Sequence, residues 1–429
     1  MKILIGGDQY PEYITGAANF TDRLARGLAS RGHRVTVIWP SADGAARTYV
    51  EAGIHVHRLQ SFRWPRSNGF RVSDPRISGR AIRGVLDAVQ PDVVHLQSHV
   101  LIGRQLARAA KQASYPLVAT NHFMPENVFD HVPFLGRSNA VASRWAWRDL
   151  ASVYRQADLV TAPTLRAVQL LDTAAGLTAE AISCGIDPNR FWQEDLTSPS
   201  NVIPTVLFVG RLETEKRIDE LLHAFAALPA RVPARLNIVG TGTQKHQLQV
   251  LAAQLGLTGR VTFAGRVDES ELAAAYRGAD VFCMPGTAEL QSLATLEAMS
   301  AGKPVIAADA MALPHLVTEG HNGYLYTPGH TRELTDHIAR LLSQPALRRW
   351  MGLASRTMAD QHAISHTLDT FESRYAELRS ARSTRRHPPA ISSQPTAAGL
   401  GTKTPATPNT HGKSQVATST PDELINSAA

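Results

Sequence analysis

Cysteine is nearly absent: 429 residues contain two, Cys184 and Cys283. They lie far apart and form no CxxC pair, which excludes a disulfide framework and a cysteine-built zinc site and fits a reducing cytosol. No stretch approaches the ~18 uninterrupted apolar residues that a membrane-crossing helix needs. Any membrane contact is therefore expected to be peripheral. The opening MKILIGGDQY meets glycine and aspartate before a leader's apolar segment could develop. No secretory leader is expected, and the expected location is the cytoplasm.

Several catalytic signatures are missing as well. There is no GxxxxGK[ST], no HExxH, no GxSxG and no DxD. This removes P-loop nucleotide hydrolysis and most support for metal catalysis and serine hydrolysis. A dinucleotide site requires GxGxxG after the first strand and an acid closing the second. Here KILI is followed by Gly6, Gly7 and only then Gly16, and the second apolar run ends in Trp39 and Pro40. The segment VGTGTQK has Gly240 and Gly242 but lacks the third glycine.

What is present is ordinary globular composition, 43% hydrophobic and 19% charged. The length favours two domains with an additional segment. The net charge of +7 is unevenly spread. Arg58, Arg63, Arg66, Arg71, Arg76, Arg80 and Arg83 face one acid, Asp74, and are interleaved with Phe62, Trp64 and Phe70. This stretch fits either a solvated arginine-rich surface or a patch for anions, namely anionic lipid head groups, nucleic acid or an anionic substrate.

Apolar runs of strand length, KILIGG, RVTVIW, IHVHRL, DVVHLQ, PLVAT and DLVTAP, alternate with amphipathic stretches in the first half. One such stretch, Ala17 to Arg31, repeats Phe20, Leu24 and Leu28 every four residues. After a glycine- and proline-bearing change of text near Ala181 to Trp192, the alternation restarts with TVLFVG, RLNIVG, RVTFAG, DVFCMP and KPVIAA. This pattern predicts two doubly wound parallel sheets. The expected divisions are 1–187, 188–345, a helical segment 346–379 that either packs on the second domain or crosses back to the first, and a Pro/Ser/Thr-rich tail, 380–429. The tail is expected to be disordered, with too few large apolar residues to offset ordering.

Ligands of such sheets bind at strand ends. In VGRLETEK, an apolar strand delivers Arg211 and Lys216, two cations suited to a diphosphate and to the charge that grows as it leaves. In PGTAELQSLATLEAMSAGKPV, Glu289 precedes a helix starting near Ser292 and ending before Gly302, with Glu297 further along it. The N–H groups of Gln291, Ser292 and Leu293 at that helix start can receive a phosphate or sugar oxygen. Carboxylates accept hydrogen bonds from vicinal hydroxyls, so the glutamate pair suits a hexose and a ribose. Taken alone, both constellations are also compatible with surface salt bridges and solvated charge.

The E-x7-E spacing of Glu289 and Glu297, followed by AMSAGKPVIA and preceded by VGRLETEK, resembles the retaining glycosyltransferase family 4 of GT-B fold, which includes phosphatidylinositol mannosyltransferases and diacylglycerol glucosyltransferases. The resemblance runs from Met1 to about Arg379. It implies two Rossmann-like domains facing a cleft, with the nucleotide sugar on the second and the acceptor on the first. It assigns Arg211 and Lys216 to the diphosphate, Glu289 to the donor hexose and Glu297 to the ribose. Arg266 and Val267 of FAGRVDES fall at the base, Gly16 of ITGAANF in the loop after the first strand, and His122 of ATNHFMPEN at the catalytic histidine.

Where many members have Glu-x-Phe-Gly, this chain has Glu289, Leu290, Gln291, Ser292. That wording is similar to the Glu-x-Gln-Gly of diacylglycerol glucosyltransferases and implies a lipid acceptor. The apolar stretch Asn127 to Trp147, with Val128, Phe129, Phe134, Leu135, Trp145 and Trp147, is either a lipid-facing surface or a buried helix. The expectation is a metal-independent, retaining hexosyltransferase without cofactor. Its donor would be a UDP-hexose or GDP-mannose, its acceptor a membrane lipid such as diacylglycerol or phosphatidylinositol, at the inner face of the cell membrane, with no nucleic-acid partner. A sugar-nucleotide epimerase of the same plan, a glycosyltransferase for a soluble acceptor and a non-catalytic lipid- or nucleic-acid-binding protein are the alternatives.

Overall fold

A computed structural model describes residues 1–9, 15–64, 71–125, 140–192 and 203–386. The first half contains β1 (Lys2–Gly6), α1 (Gly16–Ser30), β2 (Arg34–Pro40), β3 (Arg47–Glu51), β4 (Ile54–Leu59), β5 (Phe62–Arg63), β6 (Arg71–Val72) and α2 (Pro75–Val89). It continues with β7 (Val93–Leu96), α3 (Leu101–Gln112), β8 (Leu117–Thr120), α4 (Ala140–Tyr154), β9 (Leu159–Ala162), α5 (Leu165–Ala175) and β10 (Glu180–Ala181). Eight of these strands form one sheet in the order β10-β9-β8-β7-β1-β2-β4-β3. Its pairings are parallel except β3 against β4.

The apolar runs form strands here because both faces of the sheet are covered. Ile3 and Ile5 point to one side, against Phe20, Leu24 and Leu28 of α1, while Leu4 points to the other, against Leu106 of α3. The helices are defined by their caps. Thr15 accepts from Ala18 N ahead of α1, and Asp74, followed by Pro75, accepts from Arg76 N and Ile77 N ahead of α2.

The second half runs β11 (Thr205–Val209), α6 (Ile218–Ala226), β12 (Arg235–Val239), α7 (Lys245–Gln254), β13 (Val261–Gly265), α8 (Glu269–Gly278), β14 (Val281–Met284), α9 (Leu293–Ser300), β15 (Val305–Ala308) and β16 (Gly323–Tyr326). Its six strands are all parallel, in the order β13-β12-β11-β14-β15-β16. Three helices close the described chain: α10 (Thr331–Ser343), α11 (Pro345–Asp360) and α12 (Ile364–Arg386).

The segment expected at 346–379 divides between the two sheets. Gly352 of α11 packs backbone to backbone on Gly302, just beyond α9, within the second half. The chain then turns where Ile364 N donates to Ile186 O (2.7 Å), and α12 lays Leu368, Phe371 and Tyr375 into the core of the first sheet. Arg31, which caps the end of α1, reaches Asp369 and Glu372 on α12. Because α12 continues to Arg386, the expected start of the tail at 380 falls inside a helix. The remainder of the expected tail lies outside the described residues. Among the described residues, no helix is long and apolar enough to cross a membrane.

Candidate active site

In each sheet the strand order reverses beside a central strand: β1 lies between β7 and β2, and β11 between β14 and β12. Loops leaving the carboxyl ends there diverge and open a crevice. All four residues expected to be catalytic sit on such loops or on the strand-end loop next to them.

In the second half, β11 leads into a 3-10 turn, Thr214–Lys216. Lys216 Nζ donates to Glu289 Oε1, with both side chains largely buried. Gly286 makes room for this pair. A Cβ there would lie 3.2 Å from Glu289 Oε1 and 3.4 Å from Lys216 Cδ. Arg211 Nη2 donates to Glu215 Oε1 at 2.9 Å, and that carboxylate is 1% exposed, so the guanidinium is anchored while a third of its side chain faces solvent. Glu215, absent from the expected set, thus positions the outer cation.

Around α9 the expected residues divide. Ser292 is the N-cap, its hydroxyl accepting from Thr295 N (3.4 Å), and helix geometry leaves first-turn N–H groups, Leu293 among them, as donors. Gly16 opens α1 directly opposite: a Cβ on it would lie 3.9 Å from Leu293 Cδ1. The two helix starts therefore converge from opposite sheets. Gln291, expected to offer the donor its backbone N–H, has its side chain engaged elsewhere. Its Oε1 accepts from Cys184 N and its Nε2 donates to Ser183 Oγ, both at 2.8 Å, so it fastens the Glu289 loop to the first half. Leu290 assists, its carbonyl accepting from Thr164 Oγ1 at 2.9 Å.

Glu297 is held by Tyr276 Oη (3.1 Å) and by Arg23 Nη2 of α1 (3.3 Å), whose Nη1 also donates to Gly185 O (2.6 Å). Arg23 was not legible as a site residue, since nothing local distinguishes it from other helix-surface arginines. Arg266 is exposed and Val267 half-buried, directly after β13 and ahead of the capping box of α8.

In the first half, His122 follows β8. Its Nε2 lies 2.9 Å from Gln97 Oε1, and its ring packs on Phe20 with centroids 5.2 Å apart. Gln97 and the wholly buried His95 were missed, although alternation along HLQ in a buried strand places them on one face. A polar pair inside an otherwise apolar run was the available signal. Asp8, just beyond β1, is buried and accepts from Ile102 N (2.8 Å) and Ser98 Oγ (2.6 Å), tying this loop to the start of α3.

Burial holds several histidines neutral. It pushes His95 down to about 3, with His122 adding to the effect, and His122 itself to about 4. It also depresses His99 to about 4, with Arg104 helping and Asp149 opposing, and His362 to about 4, with His315 helping. Freed in the unfolded chain, each would take a proton near pH 6.5. The unfolded state therefore binds more protons below that pH. The contribution is intact above 6.5 and is lost as the pH falls toward 4. The urea midpoint should fall steadily between pH 6.5 and 5, with a slope of up to ~1.4 kcal/mol per pH unit for each histidine. A flat profile over that interval would show these rings to take up protons in the folded chain as readily as in the unfolded one.

The arginine stretch is not one surface. Arg58 is buried and lies over the Trp39 ring at 5.1 Å, and Arg71 donates to Ser61. Arg76, Arg80 and Arg83 are exposed along α2 beside exposed Ile77, and Phe62 and Trp64 are exposed nearby in sequence. Arg66 and Phe70 lie outside the described residues. In α4, Trp145 is exposed whereas Trp147 is in the core, so the described part of that stretch is not wholly buried. Asn127, Val128, Phe129, Phe134 and Leu135 lie outside the described residues.

The comparisons agree with this arrangement. Residues 14–190 match the family model "Glycosyltransferase Family 4" and residues 193–358 match "Glycosyl transferases group 1". A GDP-mannose-dependent alpha-mannosyltransferase of Mycolicibacterium smegmatis is 31% identical over 83% of this chain and 92% of its own length. An alpha-monoglucosyldiacylglycerol synthase of Streptococcus pneumoniae is 26% identical over 77% of this chain and 76% of its own. Among solved structures, the sucrose-phosphate synthase of Thermosynechococcus elongatus shares the fold, with a TM-score of 0.73 at 20% identity over 89% of this chain and all of that one. Two doubly wound sheets, strand-end cations and a glutamate pair at one crevice, and these matches establish that the chain belongs to the family 4 glycosyltransferases of GT-B fold.

Proposed function

We propose that the protein transfers a hexose from a nucleoside diphosphate sugar to a membrane-lipid hydroxyl, retaining the anomeric configuration and using no metal or cofactor. The observation that carries this reading is the pair formed by Lys216 and Glu289, beside Arg211 and across from the convergent starts of α1 and α9. An ammonium held by a carboxylate near a helix N-terminus is preorganised for an entering diphosphate. Once it turns to the phosphate, Glu289 is released to accept from sugar hydroxyls. In this reading Glu297 serves the ribose, and Arg266 and Val267 the base. His122 orients the hexose from the first half. The acceptor oxygen bonds to the anomeric carbon as its bond to phosphate breaks, and the acceptor proton passes to the departing diphosphate.

One relative is by its name GDP-mannose-dependent, and another by its name makes a glucosyl lipid. The first supports a sugar-nucleotide donor such as GDP-mannose, and the second supports a diacylglycerol lipid as acceptor. Exposed Arg76, Arg80 and Arg83 with Ile77 on α2 support a face for anionic head groups and, with it, a location at the inner face of the cell membrane.

The test presents UDP-glucose, UDP-galactose and GDP-mannose in turn, with chelator, to vesicles containing diacylglycerol or phosphatidylinositol. One sugar nucleotide should yield an α-linked glycolipid with chelator present, more slowly as salt rises. Conversion of the sugar nucleotide without acceptor would identify an epimerase, and a strict manganese requirement would refute the metal-independent leaving-group assignment.

A further inference from the structure

Glu297 stands on α9, yet the cation bonded to it comes from α1, on the other sheet. Arg23 Nη2 donates to Glu297 Oε1 at 3.3 Å and Nη1 to Gly185 O at 2.6 Å, with both side chains largely buried. Tyr276 Oη lies 3.1 Å from Glu297 Oε2 but also 3.3 Å from Ala294 O, so one phenolic proton is divided between two acceptors. Arg190 Nη1 is 3.9 Å from Oε1, and its Nε donates to Glu269 at 3.1 Å. Among the described residues, Arg23 is therefore the only cation within hydrogen-bond distance of this carboxylate.

A guanidinium only donates and a carboxylate only accepts, so the roles in this pair admit one assignment. The guanidinium fork is planar, and anchoring Nη1 also sets the direction of Nη2. The anchor is itself held in place. Gly185 lies between Cys184, whose N–H donates to Gln291 Oε1 at 2.8 Å, and Ile186, whose carbonyl accepts from Ile364 N at 2.7 Å. A carboxylate offers about four acceptor sites, of which Arg23 takes one and Tyr276 at most another. That leaves about two, as many as a vicinal diol needs.

We infer that Arg23 is a positioning residue for the nucleotide: from the first half, it holds Glu297 in the orientation that receives the two ribose hydroxyls. The inference rests on the proposed function, which gives Glu297 to the ribose. Without Arg23, the carboxylate keeps only a shared phenol and regains rotamer freedom, which ribose binding would then have to remove. The nucleotide end of the donor site is thus incomplete within the second half. Helix α1 supplies the missing side chain.

Titration calorimetry of the full chain with UDP and GDP, each beside its 2′,3′-dideoxy counterpart, isolates the ribose hydroxyls. The nucleotide that binds wild type should bind about tenfold or more tightly than its dideoxy form, because those hydroxyls donate to a charged acceptor. Glu297→Ala should bring the two forms within about twofold of each other. Arg23→Ala should reduce the preference to less than about threefold, with affinity for the dideoxy form within about twofold of wild type. A merely structural role would weaken both forms alike and preserve their ratio. Should Arg23→Ala not fold, Arg23→Met retains the packing of the stem and should reduce the ratio in the same way.

An undiminished ratio in the folded Arg23 variant, with Glu297→Ala behaving as expected, would overturn the inference and leave Glu297 at the ribose. A wild type that binds the two forms equally, or a Glu297→Ala variant that keeps the preference, would instead remove the ribose from Glu297 and overturn the inference with it. Binding of neither UDP nor GDP would do the same and would also sink the proposed donor.

Discussion

Lys216→Ala is expected to lower sugar transfer by ~10²- to 10³-fold, the usual consequence of removing one preorganised charge partner, while leaving the chain folded. Lys216 closes a 3-10 turn that Arg217 follows in the left-handed region, φ 47°. The turn is pinned from below, where Thr287 N donates to Glu215 O (3.0 Å). The lysine stem thus leaves a fixed stretch of backbone, which limits the reorganisation its ammonium needs to meet the transition state. The fall should appear mainly in kcat, because charge accumulates on the diphosphate as the sugar leaves. The substitution also leaves the Glu289 carboxylate, largely buried, without its counter-charge, so a modest drop in thermal midpoint should accompany it. Arg211→Ala should show a similar kinetic loss and a larger stability loss, since Glu215 is 1% exposed and would be left unpaired. Steady-state kinetics with the donor identified by product analysis decides the matter. Near-normal kcat in both variants would remove the diphosphate from this loop.

The strands and their sides of the sheet were legible because covered parallel strands consist of continuous apolar residues, as in TVLFV and VFCM. Two of the strands that were not legible lack that signature. RTYVE of β3 is an edge strand with four exposed positions, and Glu180–Ala181 of β10 is too short to show a period. Site residues contributed by one strand-end loop, such as Lys216 and Glu289, were readable from local spacing. Residues whose role comes from a partner more than a hundred positions away were not. Arg23 acquires meaning only beside Glu297, Gln291 only beside Cys184, and Tyr375 only beside His95. The arginine stretch shows the converse failure: composition counted Arg58 with its neighbours, whereas burial over Trp39 removes it from the surface.

Gly240→Ala is expected to destabilise the protein by ~3–5 kcal/mol, combining backbone strain with a clash that cannot relax. In sequence this glycine resembles a fragment of a dinucleotide motif, but the fold gives it another task. It follows β12 with φ 139°, and a Cβ on it would lie 1.8 Å from the carbonyl oxygen of Gly210. That oxygen belongs to the backbone between β11 and Arg211. It cannot yield without disturbing the register that pairs Val209 with Val239 and the bond from Gly210 N to Val239 O (3.0 Å). Gly242 repeats the contact one step on, where a Cβ would meet Leu212 O at 2.2 Å. The two glycines thus let the end of β12 lie against the loop that carries both cations. Gly256→Ala isolates the conformational component, since Gly256 has φ 70° with nothing within 4 Å of its Cβ position, and it should cost only ~1 kcal/mol. Urea midpoints of the two variants separate clash from strain. If Gly240→Ala proved no worse than Gly256→Ala, the close approach of the two loops would be wrong, and with it the backbone support under Arg211 and Lys216.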